Sequence, residues 1–302
     1  MLGVMIHDSS QRIAAAAIAV SLSGFLLAGC ATAAPDATTT PAAPDASGEK
    51  EVSSLSARAL IAHEGGLTLI DPATGERLHE ENIDGFLRLS SAGDGQHVVV
   101  SDSDVFRVFD TGIRAVPHGE HDHYYESTPA LTDITFDAPR AGHVVVNAGY
   151  TTLFADGTGE IQTVETSKIG EKNAAVDKVS TGAAHHGVAM RLENGQLLTT
   201  QGTEQERRTI QVRDGDSVVA STDACPGVHG EAAAQANAGG DVVVLGCEDG
   251  PVVFRDGQFH KVAVEDAYSR SGNLAGHPES RIVLGDYKVD PDAELEHPTR
   301  VS

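Results

Sequence analysis

Basic residues are scarce in this sequence. Its 302 residues include 21 lysines and arginines against 44 aspartates and glutamates, which gives a formal net charge of -23. A surface with this charge repels nucleic acid and anionic lipid headgroups, and it attracts cations. We therefore expect no nucleic-acid partner.

Long apolar runs are also scarce. The run from Ile13 to Ala28 follows Arg12 and is too short and too rich in small residues for a membrane span, so it is typical of an export signal. It ends in Leu-Ala-Gly-Cys, which resembles a bacterial lipobox. We predict that residues 1–29 are a signal peptide and that Cys30 is lipidated, which anchors the protein to the outer face of the cell membrane. The alternative is an ordinary signal peptide that ends near a cysteine.

Residues 30–56 contain few side chains that could be buried. The stretch ATAAPDATTTPAAPDASGEKEVSS, Ala31 to Ser54, consists mostly of alanine, threonine, proline and acidic residues. This composition predicts a disordered tether between the lipid and a folded domain over residues 57–302.

Cysteine is rare, with three in the chain. If Cys30 carries the lipid, Cys225 and Cys247 remain in an oxidising compartment, where we expect them to form a disulfide. A thiolate metal site at these two residues is the alternative.

Helical periodicity is absent from residue 57 onwards, and the chain consists of short β-branched runs separated by Gly, Asp and Asn turns. This pattern predicts an all-β fold. Four segments share one design, with second strands starting near His97, His143, Gln196 and Asp241, and a fifth copy begins around Arg281. A repeat of about 45 residues with three to four antiparallel strands predicts the blades of a β-propeller. The C-terminus follows closely on the fifth copy, so we expect either a small ring of about five to six blades or a propeller that is incomplete at this end; two all-β sandwich domains are the alternative.

Several of the 14 histidines precede a predicted first strand of a blade. Because first strands line the channel of a propeller, such histidines should converge on one point and form a single zinc site, since neutral imidazole is a preferred zinc ligand. His121 and His123 are two residues apart and should point the same way in an extended strand. The predicted ligands are His121, His123, His185, His186 and His229.

Other polar residues near these histidines are candidates for additional ligands or for orienting the imidazoles. They are His118, Asp122, Glu126 and Asp223. The remaining histidines considered are predicted to be solvated surface groups: His63, His79, His97, His143, His260 and His297.

The segments HGEHDHYYES, GAAHHGVAM, DACPGVHGEAA, VLGCEDG and LAGHPESRIVLGDY occur in this order. Together they resemble the AztD family of exported zinc metallochaperones, over about residues 57 to 290. The resemblance implies a β-propeller that binds Zn2+ and delivers it to the substrate-binding protein of an ABC importer. We expect the protein to be a monomer. It also implies that the five predicted ligands bind zinc and that Cys225 pairs with Cys247.

Two other functions remain open at this stage. One is a zinc-dependent enzyme, because a three-ligand zinc site with an open position can activate water. The sequence contains neither HExxH nor a serine-centred nucleophile elbow, which disfavours this alternative. The other is a propeller scaffold that binds a protein or a glycan. We therefore predict a non-enzymatic zinc carrier.

Overall fold

The structure is a computed structural model that describes residues 48–293 and 298–302. The predicted signal peptide, Cys30, most of the predicted tether and His297 lie outside these ranges. The described residues form β-strands and one short 3-10 helix, Thr166–Lys168. Within these ranges, no helix has the length and apolar character needed to cross a membrane.

The strands of the first half of the described chain are short. Apart from β1, they are five to eight residues long. They are β1 (Lys50–Val52), β2 (Ala59–His63), β3 (Gly66–Ile70), β4 (Arg77–Asn82), β5 (Leu87–Ser91), β6 (His97–Asp102), β7 (Val105–Asp110), β8 (Ile113–His118), β9 (His121–Glu126), β10 (Ala130–Asp137), β11 (Ala141–Asn147) and β12 (Tyr150–Ala155).

The strands of the second half are two to nine residues long. They are β13 (Glu160–Glu165), β14 (Val176–Ser180), β15 (Ala189–Arg191), β16 (Leu197–Gly202), β17 (Arg207–Asp214), β18 (Ser217–Thr222), β19 (His229–Asn237), β20 (Gly240–Gly246), β21 (Val252–Arg255), β22 (Gln258–Lys261), β23 (Leu274–Ala275) and β24 (Leu284–Gly285).

These strands form consecutive antiparallel sheets, which we number as blades. Blade 1 is β2-β3-β4, blade 2 is β5-β6-β7-β10, blade 3 is β11-β12-β13-β14, blade 4 is β15-β16-β17-β18, blade 5 is β19-β20-β21-β22 and blade 6 is β23-β24. The repeated antiparallel sheet of up to four strands confirms the predicted β-propeller.

The hydrophobic core lies between consecutive blades. Leu69 of blade 1 packs with Phe109 of blade 2, whereas Phe106, on the same strand β7, belongs to a cluster with Leu153 of blade 3. Both phenylalanines are fully buried. Because neighbouring blades bury both faces of a strand, β-branched runs such as His97-Val98-Val99-Val100 carry apolar residues at consecutive positions.

The repeat predicted from the sequence is out of register at blade 3. It makes β10 and β11 the first and second strands of one blade. In the structure β10 pairs with β7 as the last strand of blade 2, and β11 is the first strand of blade 3. The short turn between them joins two sheets rather than the two arms of a hairpin, so His143 lies on a first strand.

The strands β8 and β9 form a hairpin that is inserted between β7 and β10. Strand β1 pairs with β9, and the carboxylate of Glu49 receives two hydrogen bonds from the Arg114 guanidinium, at 3.2 and 2.6 Å. Residues 50–52 thus form a strand although the sequence placed them in the tether. Their pairing is made by backbone groups and an ion pair, which the low hydrophobicity of the segment does not indicate.

Cys225 and Cys247 form the predicted disulfide, with Cα atoms 5.0 Å apart. Both residues are fully buried in the core cluster that joins blades 4 and 5. The bridge links the segment before β19 to the residue that follows β20, so it holds the beginning of the first strand of blade 5 in place.

Candidate metal centre

The histidines form two clusters in the described residues, where the sequence predicted one site. We call the first the inter-blade cluster; it consists of His143, His186 and His229. We call the second the hairpin cluster; it consists of His118, His121 and His123. In each cluster the potential ligand atoms all lie within 4.8 Å of one another.

The inter-blade cluster draws one histidine from each of three successive blades. His143 lies on β11, His186 lies three residues before β15, and His229 is the first residue of β19. The ring centroids are 4.8 to 5.4 Å apart. The convergence of first-strand histidines that the sequence predicted is therefore present, but its members differ from the predicted set.

The Nδ1 atoms of His186 and His229 are engaged by fixed acceptors. His186 Nδ1 lies 2.5 Å from Asp156 Oδ2, and His229 Nδ1 lies 2.6 Å from the carbonyl oxygen of Gly272. Because a carboxylate and a carbonyl only accept, each Nδ1 donates its proton and Nε2 keeps its lone pair. Two of the three imidazoles are thus held in the tautomer that presents Nε2 as a ligand.

His143 faces the cluster and a carboxylate at the same time. Its Nε2 is 3.3 Å from His186 Nε2, and its Nδ1 is 3.2 Å from Glu231 Oε2. The second contact has an ion-pair distance but not the alignment of a hydrogen bond, and the buried Oε2 has no hydrogen-bond partner in the described residues. Glu231 therefore stabilises positive charge on His143 or on an ion that His143 binds.

Burial and the two carboxylates act in opposite directions on the histidine charges. Burial lowers the pKa of His143, but the carboxylates of Glu231 and Asp156 outweigh burial and raise this pKa above its ordinary value of 6.5. Burial, and then the proximity of His143, lowers the pKa of His229 to about 3. Glu231 and Asp156 thus favour a cation in the cluster, while His229 stays neutral and keeps its lone pair.

Glycines next to His143 and His229 leave room for the two acceptors that orient the imidazoles of His186 and His229. A Cβ atom at Gly142 would lie 2.2 Å from Asp156 Oδ1, and one at Gly230 would lie 2.6 Å from the Gly272 carbonyl oxygen. Gly230 also has φ +74 and lies at a register shift in the pairing of β19. Bulges of this kind re-aim side chains next to functional sites. Both acceptors that orient the imidazoles therefore depend on the absence of a neighbouring side chain.

The donor set fits a zinc ion. Three imidazoles satisfy the three protein ligands found in open zinc sites, and acceptors behind the rings are the usual partners of zinc-bound histidines. The carboxylates of Asp156 and Glu231 would balance the double charge of such an ion. The side chains of His143 and His186 are 19% and 28% exposed, so the site is accessible from solvent.

The hairpin cluster is built by one pair of strands. His118 and His121 are directly opposite each other in the β8–β9 register and flank the turn, and His123 lies two residues further along β9. The ring centroids are 5.0 to 5.3 Å apart. The sequence was right that His121 and His123 point the same way, but both lie on the inserted hairpin and not before the first strand of a blade.

His185 has a structural environment. Its ring is fully buried, with Nδ1 3.0 Å from the carbonyl oxygen of Ala183 and Nε2 3.1 Å from Thr200 Oγ1. It also packs edge-on against Phe154. Both nitrogens are satisfied by protein groups, so the structure does not bring His185 into either cluster, although the neighbouring His186 is in one.

Of the additional candidates, only His118 joins a cluster. Asp122 is an exposed residue on β9 between His121 and His123, where side chains alternate between the two faces. Glu126 Oε1 lies 3.8 Å from Arg58 Nη2. Asp223 Oδ1 accepts a hydrogen bond from Thr209 Oγ1 at 2.6 Å.

Sequence reasoning missed His143, Asp156 and Glu231. His143 was predicted to be a surface group because the misaligned repeat placed it at the start of a second strand. Glu231 could have been noticed from its spacing, because it follows His229 by two residues in a strand that begins a blade. Asp156 lies after β12 and is brought to His186 only by the fold, so no local pattern indicates it.

Comparison with known proteins agrees with this architecture, although no family model matches the chain. The chain is 28% identical over 238 residues to the zinc chaperone AztD of Citrobacter koseri. That match covers 74% of this chain and 55% of the relative, so the chain spans about half of the relative's length.

Two solved structures of the Citrobacter koseri protein share the fold. One crystal structure of AztD has a TM-score of 0.64 and 23% identity, and covers 76% of this chain and 65% of that chain. The structure of apo AztD has a TM-score of 0.62 and 21% identity, with coverages of 76% and 64%. Sequence similarity and the shared fold confirm the resemblance of this chain to the AztD family.

Proposed function

We propose that the protein is a non-enzymatic zinc metallochaperone and that the inter-blade cluster holds its Zn2+ cargo. The observation that carries this proposal is the common arrangement of three imidazoles from three successive blades. Two have Nδ1 fixed by an acceptor, and the third is backed by the buried Glu231 carboxylate. The resemblance to a protein named a zinc chaperone supports zinc as the ion.

A carrier must release its ion as well as bind it. His143 and His186 are partly exposed, so an approaching protein could supply a ligand while one imidazole leaves. The remaining two histidines, on different blades, would hold the ion during this exchange. Stepwise ligand exchange requires no free zinc and therefore suits delivery to a binding protein better than spontaneous release.

The proposed acceptor is the substrate-binding protein of a zinc ABC importer. Lipidation of Cys30 would keep the monomeric carrier at the outer face of the cell membrane, where such binding proteins operate. The acidic surface, with a formal net charge of -23, would raise the local concentration of zinc ions near the carrier.

The test is the rate of zinc transfer to the acceptor. With the zinc-free substrate-binding protein in excess, we expect the transfer rate to rise with acceptor concentration. It should also exceed the rate at which a small chelator captures spontaneously released zinc. His143→Ala, His186→Ala and His229→Ala should each weaken zinc binding at least 10-fold, because each removes one of three ligands. Stopped-flow fluorescence measures the rates, and chelator competition measures the affinities.

The control variant is His63→Ala, which removes an exposed histidine that belongs to neither cluster. It should leave both rate and affinity unchanged. Transfer that runs no faster than dissociation at every acceptor concentration would contradict the chaperone function. Unchanged zinc affinity in the three cluster variants would instead show that the ion binds elsewhere.

A further inference from the structure

The hydrogen bonds within the hairpin cluster are of the same type as those within the inter-blade cluster. His123 Nδ1 lies 2.6 Å from Glu51 Oε1, and His123 Nε2 lies 3.1 Å from His118 Nδ1. Because the carboxylate accepts the Nδ1 proton, Nε2 of His123 carries a lone pair. His118 Nδ1 must then be the donor in the second contact. A metal ion that binds His123 Nε2 would take the place of this donated proton.

Glu51 reaches His123 from a different part of the chain. It lies on β1, which pairs with β9 so that Glu51 is opposite Tyr125. A carboxylate behind a ligating imidazole fixes the ring and increases its basicity as a ligand. The pairing of β1 with the hairpin thus supplies an orienting group that the hairpin alone does not contain.

The surroundings of the hairpin cluster differ from those of the inter-blade cluster. His118 and His121 are exposed, and His123 and Glu51 have side-chain exposures of 34% and 55%. Three ligands on one exposed hairpin leave one side of a bound ion open to water or to a ligand from another protein. A metal ion bound by the hairpin cluster should exchange faster and bind more weakly than one bound by the three half-buried histidines of the inter-blade cluster.

We propose that the hairpin cluster is a second zinc site, distinct from the inter-blade site, with His118, His121 and His123 as ligands and Glu51 as the positioning residue. It binds zinc at the surface and exchanges it rapidly with external ligands. The choice of zinc as the ion rests on the proposed function of the protein; the presence of a second divalent-metal site rests on the geometry of the hairpin.

The experiment counts bound ions in three forms of the full chain, titrated with Zn2+ and, in parallel, with Co2+, whose absorption reports tetrahedral imidazole coordination. The wild-type chain should bind two ions. The pair His118→Ala and His121→Ala should bind one ion tightly, and the pair His186→Ala and His229→Ala should bind one ion more weakly. Circular dichroism of each variant checks that the sheets are retained.

A milder variant tests the contact of Glu51 with His123 without removing a ligand. Glu51→Gln should weaken the hairpin site about 10- to 100-fold, the range measured for groups that orient metal ligands. Asp94→Asn is the matched control, because Asp94 makes the same kind of carboxylate contact to an imidazole, that of His97, and neither residue belongs to a cluster; it should leave the affinity unchanged. Equal effects of the two changes would overturn the role of Glu51.

The remaining outcomes separate the two sites. A wild-type chain that binds one ion, kept by the hairpin variant and lost by the inter-blade variant, would overturn the second site and leave the proposed function intact. One ion that is lost by the hairpin variant and kept by the inter-blade variant would support the hairpin site but overturn the inter-blade cluster as the cargo site.

Discussion

His143 is the residue at which charge and metal binding are most closely linked. Its Nδ1 lies 3.2 Å from Glu231 Oε2, and this carboxylate, together with Asp156, raises its pKa despite burial. Zinc binds neutral imidazole, so a proton on His143 competes with the ion. In the zinc-free protein the protonated pair stabilises the fold at acidic pH, and this contribution is lost as the pH rises through the raised pKa.

We predict that protons and zinc compete for His143 in the range of its raised pKa. Zinc affinity should fall as the pH decreases through the raised pKa of His143, so the loss should begin above 6.5, the ordinary value. His229, with a pKa of about 3, should add almost no competition in the same range. In Glu231→Gln the group that raises the pKa is gone, so the fall should move to lower pH. Chelator competition between about pH 5 and about pH 8 measures both profiles.

The matched control is Asp94→Asn. Asp94 pairs with His97 at 2.5 Å, the same distance as the pair of Asp156 and His186, but neither residue belongs to a cluster. Its pH profile should coincide with that of the unmodified protein. If Glu231→Gln also leaves the profile unchanged, Glu231 does not control the proton on His143.

At the level of elements, the approach of β11 to the turn after β12 fixes one imidazole. Gly142 on β11 leaves the space that Asp156 occupies, and Asp156 in turn orients His186. We predict that Gly142→Ala displaces the carboxylate and lowers zinc affinity about 10-fold or more, because orienting groups contribute this much. Chelator competition gives the affinity, and thermal unfolding measures the accompanying loss of stability.

Gly239→Ala provides the control for this crowding. A Cβ atom at Gly239 would lie 2.3 Å from Asp256 Oδ1, the same kind of clash in blade 5, but Asp256 has no histidine partner among the described contacts. This variant should lose stability and keep its zinc affinity. Similar losses of affinity in both variants would mean that general destabilisation, rather than the position of Asp156, weakens the site.

The sequence predicted the strands well because β-branched runs and turn residues are local signals. It failed where pairing is non-local. Strand β10 pairs with β7 across the inserted β8–β9 hairpin, and neither the insertion nor the change of sheet between β10 and β11 has a local signal. The histidines of the hairpin were consequently assigned to the entry of a blade.

The sequence predicted only part of the candidate site. His186 and His229 precede or begin true first strands, so the repeat placed them correctly in one cluster. His185 shares the predicted position but points into the core, where Ala183 and Thr200 satisfy its ring. Two adjacent histidines cannot face the same way in an extended chain, and the sequence does not tell which one faces the channel.

At the scale of the whole molecule, the inter-blade cluster joins blades that also meet through apolar packing and through polar contacts such as the hydrogen bond from Asn147 Nδ2 to Asp241 Oδ1 at 2.9 Å. His143, His186 and His229 belong to blade 3, the entry to blade 4 and blade 5. The unfolded chain does not hold these three residues together, so zinc at the proposed site should bind the native state more tightly than the unfolded chain. Such a ligand stabilises the fold by RT ln(1 + [L]/Kd), about 2.7 kcal/mol when zinc is present at 100 times Kd.

The last prediction follows from this linkage. For a domain of this size, about 2 to 4 °C of Tm corresponds to 1 kcal/mol, so zinc at 100 times Kd should raise Tm by about 5 to 10 °C. The double variant with His186→Ala and His229→Ala should lose this increase in Tm, because it removes the ligands that two of the three blades supply. The pair His118→Ala and His121→Ala should keep most of it, because the hairpin ligands come from one pair of strands and bind more weakly. Differential scanning calorimetry with and without zinc makes the measurement. An increase that survives the inter-blade changes and disappears with the hairpin changes would place the stabilising ion on the hairpin.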